Sequence, residues 1–113
     1  DGVLIENMFD IPYLHRRDLG PEVVACMARI CTEVRSLLPS YIPCGLQILA
    51  GGNREALAVS KACSLQFIRA EGFVFSHIAD EGLIEASAGE LLRYRKAIDA
   101  EDVLVFTDIK KKH

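Results

Sequence analysis

The sequence predicts an α/β fold built on a parallel β-sheet, and two observations carry that expectation. Four short apolar runs alternate with three stretches of helical periodicity along the 113 residues. The runs are near-continuously apolar rather than alternating with polar residues, as expected of strands covered on both faces. Right-handed crossovers between such strands leave two architectures, an open doubly wound sheet or a closed eight-stranded barrel.

The elements follow in chain order. Val3-Leu4-Ile5 is the tail of the first strand, and the polar segment Glu6 to Pro12 turns away from it. Gly20-Pro21 opens the first helix, since proline suits the first turn and Glu22 favours the positive end of the helix dipole. Val23, Val24, Met27, Ile30, Val34, Leu37 and Leu38 recur every three to four residues as one apolar stripe, and Pro39 ends it. The second strand is Gly45 to Ala50, closed by Gly51-Gly52. Asn53 is placed to cap the second helix, Arg54 to about Cys63, which packs through Ala56, Leu57 and Val59.

Leu65 to Ala70 is the third strand, followed by a loop through Glu71, His77 and Asp80. The third helix is expected from roughly Gly82 to Ile98; Ser87 with Glu90 alternatively forms a capping box that starts it later. Val103 to Asp108 completes the set as the fourth strand.

Composition excludes several classes. Half the residues are hydrophobic and 26% are charged, the balance of a folded globular chain rather than a disordered one. A net charge of −3 provides no positive field for nucleic acid. The apolar runs are too short for a membrane-spanning helix. Neither a dinucleotide-binding fingerprint nor a P-loop follows any strand. Cys26, Cys31, Cys44 and Cys63 form no CxxC and sit mostly in apolar helical segments. They read as buried thiols of a reducing intracellular compartment, the cytoplasm or an organelle interior such as the mitochondrion. No Cys or His pair has the spacing that nucleates a zinc site, so no metal centre is expected.

In both architectures chemistry sits where parallel strands end. Those ends carry Glu6 and Asn7, then Asn53, then Arg69 and Glu71, then Asp108 and Lys110. Period-two geometry places Phe67, Arg69 and Glu71 on one strand face, and Leu104, Phe106, Asp108 and Lys110 on another. A charge that continues an apolar face must be paired or ligand-bound. Arg69 suits a small anion such as phosphate or carboxylate, and its structural alternative is an ion pair with Glu71 or Asp108. Asp108, Lys110 and Lys112 are candidate catalytic residues: Asp108 with Lys110 as acid and base, or Lys110 as a Schiff-base nucleophile. The alternative for Lys110 to Lys112 is a solvated basic segment. His77 with Asp80 and Glu81 offers a general base or metal ligands, against a plain exposed loop histidine. Glu6, Asn7 and Asp10 suit a divalent ion or simply the backbone of a turn. Gly51-Gly52-Asn53 ahead of a helix reads as an anion cradle or a tight turn.

With these residues in hand, the chain resembles the BtpA/SgcQ family, as an internal fragment of a eukaryotic-type member. The resemblance rests on Gly2 to Pro12, Gly20-Pro21-Glu22, Phe67 to Gly72, Asp80-Glu81-Gly82, Glu90 to Arg95 and Phe106 to His113, in that order. Glu6, Asn7, Asp10, Arg69, Asp80, Gly82, Arg93, Arg95, Asp108, Lys112 and His113 fall on residues characteristic of the family. Where the family often carries an Asn-rich pattern after its third strand, this chain reads Leu46 to Asn53, with Asn53 as the counterpart.

The resemblance implies a partial TIM (β/α)8 barrel. Four parallel strands, the second to the fifth, are joined by three helices, and residues 1–113 form one domain truncated at both ends. It implies ligand-binding roles for Glu6, Asn7, Asn53, Arg69, Glu71, His77 and His113, with no cofactor identified. Its activity reads as an enzyme or a binder of a small anionic, phosphorylated or carbonyl ligand. Since one cyanobacterial member is associated with photosystem I biogenesis as a peripheral thylakoid protein, the alternatives are a non-catalytic assembly factor with peripheral membrane association, or an inactive truncated product.

Overall fold

The computed structural model describes residues 1–109. Lys110, Lys112 and His113 lie outside the described residues. The elements are β1 (Val3–Glu6), α1 (Pro21–Leu37), β2 (Cys44–Gln47), α2 (Asn53–Cys63), β3 (Phe67–Ala70), β4 (His77–Ala79), β5 (Gly82–Ile84), α3 (Ala88–Ala97) and β6 (Leu104–Thr107). A 3-10 turn at Arg16–Asp18 interrupts the connection between β1 and α1.

Four strands form a parallel sheet in the order β1-β2-β3-β6, each beside its predecessor among the crossover-linked strands. The reversal of strand order that defines a doubly wound sheet does not occur. The architecture is a parallel α/β layer compatible with part of a TIM-like barrel. Register places Leu4 opposite Gly45, Gly45 opposite Phe67 and Phe67 opposite Leu104.

The two sheet faces differ sharply. Val3, Ile5, Cys44, Leu46, Ile68, Ala70 and Val105 pack in one cluster with Met27 and Cys31 of α1, Leu57 and Val59 of α2 and Leu91 of α3. The alternate residues Leu4, Leu104 and Phe106 are exposed on the opposite face. Gly45 lacks a Cβ there, and the Phe67 ring lies across the space it leaves. The Phe67 and Phe106 rings meet at 5.0 Å between centroids.

Several sequence expectations need correction. The α1 stripe merges two flanks of the helix: Met27 and Cys31 are buried, whereas Ile30 is 48% and Leu37 82% exposed. Cys26 is likewise exposed rather than buried. The expected loop after β3 contains an antiparallel hairpin, β4–β5, with His77 opposite Ile84. His77 is therefore a half-buried strand residue, not an exposed loop histidine. Gly82 belongs to this hairpin, so α3 starts only at Ala88. Ser87 precedes α3 but makes no side-chain cap, so no capping box forms. Its N–H instead donates to the Gly72 carbonyl at 2.9 Å and closes the hairpin base. The second, third and fourth strands are shorter than their apolar runs, because Ile48–Ala50, Leu65 and Val103 bury their side chains in the adjoining connections.

Arginines finish two helices. Arg35 donates to the Pro39 carbonyl at 2.6 Å and the Ile42 carbonyl at 2.8 Å, and to Gln66 Oε1 at 2.9 Å. Arg95 donates to the Val103 carbonyl at 2.9 Å and to the Glu101 carbonyl. Both satisfy carbonyls beyond the helix C-terminus and set the entry into the next strand.

All four cysteines are free thiols. Burial pushes the Cys31 thiol up to about 12 from 9.0, reinforced by Cys63 and Cys44, and burial also raises Cys44. A thiol that resists ionisation only when folded contributes stability below the unfolded pKa and loses it as pH rises towards the folded one. Unfolding free energy should therefore fall above pH 9 with a slope of about 1.4 kcal/mol per pH unit from Cys31. Urea titrations between pH 8 and 10.5 check this; Cys31→Ala must show a shallower decline, and an unchanged slope refutes it.

Gly72 provides a second check, since it has φ +58° and a Cβ there would lie 2.8 Å from Ile84 Cγ2 and 3.2 Å from the Glu85 carbonyl. Gly72→Ala should cost about 1–3 kcal/mol through backbone strain and overpacking. A denaturation midpoint equal to wild type would sink that account.

Candidate functional site at the strand C-terminal ends

Four parallel strands in register deliver their last residues to one rim. On the face away from the helices, the apolar row Leu4, Gly45, Phe67 and Leu104 gives way to Glu6, Gln47, Arg69 and Phe106 one step further along. Asp108 follows Phe106 at the period-two position. The change from apolar to polar along a single face places a charged mouth above an apolar floor.

Arg69 is the hub. Its Nε and Nη2 donate to Asp108 Oδ1 at 3.0 and 2.7 Å, and its Nη1 donates to Gln47 Oε1 at 3.3 Å. The Asp108 hydrogen bond raises the Arg69 pKa against the opposing effect of burial, with Glu6 and Glu71 adding attraction. Arg69 is thus a permanent cation. The Asp108 side chain is only 13% exposed against 43% for Arg69. Both arginine donors converge on Oδ1, so the buried Oδ2 has no hydrogen-bond partner among the described residues. An unpaired buried carboxylate oxygen is costly unless a donor completes it.

Glu71 and Asn53 form a second unit. Asn53 is the first residue of α2 rather than its cap, and Gly52 takes the cap position. Its Nδ2 donates to the Glu71 carbonyl at 2.6 Å, and the Glu71 N–H donates to its Oδ1 at 3.1 Å. This two-way bridge joins the end of β3 to the start of α2. The Gly51 N–H donates to Glu71 Oε1 at 3.5 Å. The glycine loop therefore faces a carboxylate of the chain itself, close to the positive end of α2.

Asn7 links the first two strand ends. Its Oδ1 accepts from the Leu49 N–H at 2.8 Å, while its Nδ2 donates to Asp10 at 3.4 Å. These are turn-satisfying contacts. Among the described residues no group of three or more His, Cys, Asp or Glu is arranged to hold a metal ion.

The remaining candidates lie apart from the hub. His77 sits in the hairpin with its Nε2 buried and without a partner among the described residues. The hairpin is tied to the β1–α1 connection where His15 Nε2 meets the Leu83 carbonyl at 3.1 Å. Arg16 then joins Glu55 of α2 at 3.3 Å and Glu90 of α3 at 3.4 Å. Gln47 is the site residue that sequence reasoning missed. It hides inside an apolar run, yet its parity with Gly45 puts it on the Arg69 face.

What these features define is a parallel α/β protein with a carboxylate-rich polar rim at the strand C-terminal ends. The chain belongs to the BtpA family, whose profile matches residues 1–113. It is 51% identical over 116 residues to an uncharacterised mitochondrial protein of Caenorhabditis elegans, covering all of this chain and 42% of that one. It is 35% identical over 113 residues to the photosystem I biogenesis protein BtpA of Synechocystis, covering all of this chain and 38% of that relative. An uncharacterised Archaeoglobus fulgidus protein is 35% identical over 113 residues, with 44% of its length covered. The chain spans about two-fifths of the length of these curated relatives. No solved structure matches it.

The Asn53 bridge yields a stability test. Asn53→Ala leaves two buried backbone groups of Glu71 unpaired and should cost about 2–4 kcal/mol, from about 1–3 kcal/mol for each unsatisfied buried group. Equilibrium urea unfolding measures it. A loss below about 0.5 kcal/mol, the size of an ordinary surface change, would show that water replaces the bridge.

Proposed function

We propose that residues 1–113 supply four of the eight strands of a (β/α)8 barrel and part of its ligand-binding mouth, as one partial domain. The strand order supports this reading, and so does the open sheet face that turns from apolar to polar towards the strand ends. The single observation that carries the site is the Arg69–Asp108 pair, with Asp108 Oδ2 buried and waiting for a donor.

The ligand class follows from the charges. Glu6, Glu71 and Asp108 surround one guanidinium, so the described rim favours hydrogen-bond donors over a free anion. A small carbonyl compound with a neighbouring hydroxyl suits it: the hydroxyl donates to Asp108 Oδ2, and Arg69 donates to the carbonyl oxygen. In an enzyme of this type Asp108 acts as the acid–base carboxylate and Arg69 orients and polarises the carbonyl. Lys110, Lys112 and His113 follow in the sequence and belong to the proposal as its basic groups. With them an anionic or phosphorylated form of the same ligand becomes acceptable.

A second reading, a non-catalytic assembly factor with peripheral membrane association, draws support from the name of the cyanobacterial relative. Exposed Phe9 and Ile11 on the β1–α1 connection support it as a contact surface. No helix among the described residues is long and apolar enough to cross a membrane. The free thiols support a reducing compartment, and the mitochondrial relative supports an organelle interior.

Thermal-shift titration of the full-length protein with hydroxycarbonyl compounds, their phosphates and divalent metals tests the first reading. A ligand present at about 100 times its Kd should stabilise the protein by about 2.7 kcal/mol. Asp108→Asn and Arg69→Lys should each abolish that gain. A ligand whose shift survives Asp108→Asn overturns the site, and assembly activity that survives it favours the second reading.

A further inference from the structure

We infer that the flank of α1 opposite α2 is the docking surface for an amphipathic helix from a further βα unit of the same protein, whose strand extends the sheet beside β1. The inference rests on the barrel reading for its occupant, and on independent features of α1 for its location.

The first feature is the pattern along α1. One flank, with Met27, Ala28 and Cys31, packs into the core, and Thr32 meets Cys63 of α2 at 3.3 Å. Exposed Cys26, Ile30 and Leu37 repeat at intervals of four and seven on the other flank, the spacing of a helix with a second apolar stripe.

The second feature is a cavity of about 380 Å³ between this flank and the β1–α1 connection. Phe9, Leu14, Leu19, Cys26 and Ile30 contribute apolar walls, and no Lys, Arg or His lines it. A further hollow of about 360 Å³ shares Cys26 and Ile30 and continues along the helix past Val34. The groove therefore runs along the helix axis, as a helical partner requires, rather than enclosing a point-like ligand.

The third feature is the gradient of burial across the sheet. Cys44 and Leu46 of β2 and Ile68 and Ala70 of β3 are fully buried beneath the helix layer. Val3 and Ile5 of β1 occupy the same face in register with Cys44 and Leu46, yet remain half-buried. In this layer each inner strand is covered by the helices on either side of it, and β1 has α1 alone. One more helix beyond α1 completes the cover. The curated relatives have more than twice the length of this chain, which is ample for such a unit.

Cys26 is a built-in reporter for the test. In the native full-length protein its alkylation by iodoacetamide should be at least 100-fold slower than that of N-acetylcysteine, at a rate independent of protein concentration. Ile30→Arg should release the protection and lower Tm, whereas Arg29→Ala beside it should do neither. A freely reacting Cys26 overturns the inference. So does protection that appears only as the protein dimerises, which would identify a second copy as the occupant. Leu104→Cys on the open sheet face separates this from failure of the barrel reading. If that cysteine is protected while Cys26 reacts, the barrel closes without a helix on this flank; if both react, the barrel reading falls as well.

Discussion

A parallel strand reaches its next neighbour only by crossing a face of the sheet, and the hand of that crossing is nearly invariant. When strands are added in one direction, as in β1-β2-β3-β6, the crossovers gather on one face. The rest of the molecule depends on this constraint. One face acquires all the helices and a closed apolar cluster, and the other is left to the residues of opposite parity. Because the strands point the same way, their polar ends also meet on one rim. The Arg69–Asp108 pair is a direct product of that register, since Arg69 lies opposite Phe106 and Asp108 is two residues further on.

The rim is held by contacts that cost little sequence. Asn7 ties the end of β1 to the chain leaving β2, and Asn53 ties the end of β3 to the start of α2. Both use a side-chain amide to satisfy backbone groups that the sheet ladder has stopped serving. Arg16 adds an outer brace to α2 and α3, and Arg54 stacks over Tyr94 at 4.2 Å. Charged and amide residues at strand ends thus divide into two kinds: those absorbed by the backbone, and the Arg69–Gln47–Asp108 group that faces the mouth.

Much of this was legible in the residues. Continuous apolar runs marked the parallel strands, and parity alone put Arg69 beside Asp108 as a candidate pair. The hairpin was not legible, because His77–Ala79 and Gly82–Ile84 are three residues each and too short for an alternating pattern. The Asp80-Glu81-Gly82 turn between Ile78 and Leu83 was the available signal. The α1 stripe misled for a different reason. A helix with two apolar flanks produces one broad stripe, and periodicity cannot tell which half meets the core.

The sequence by itself therefore determined the class of fold, the order of its main elements and the residue types at the strand ends, because these follow from local periodicity and side-chain chemistry. Only tertiary structure decided which of those polar residues act together. Gln47 joined Arg69, Asn53 turned from a helix cap into a bridge to Glu71, and both donors of Arg69 fell on one oxygen of Asp108. The physical reason is that a hydrogen bond depends on direction and on tenths of an ångström, whereas a sequence records only which groups are available to make it.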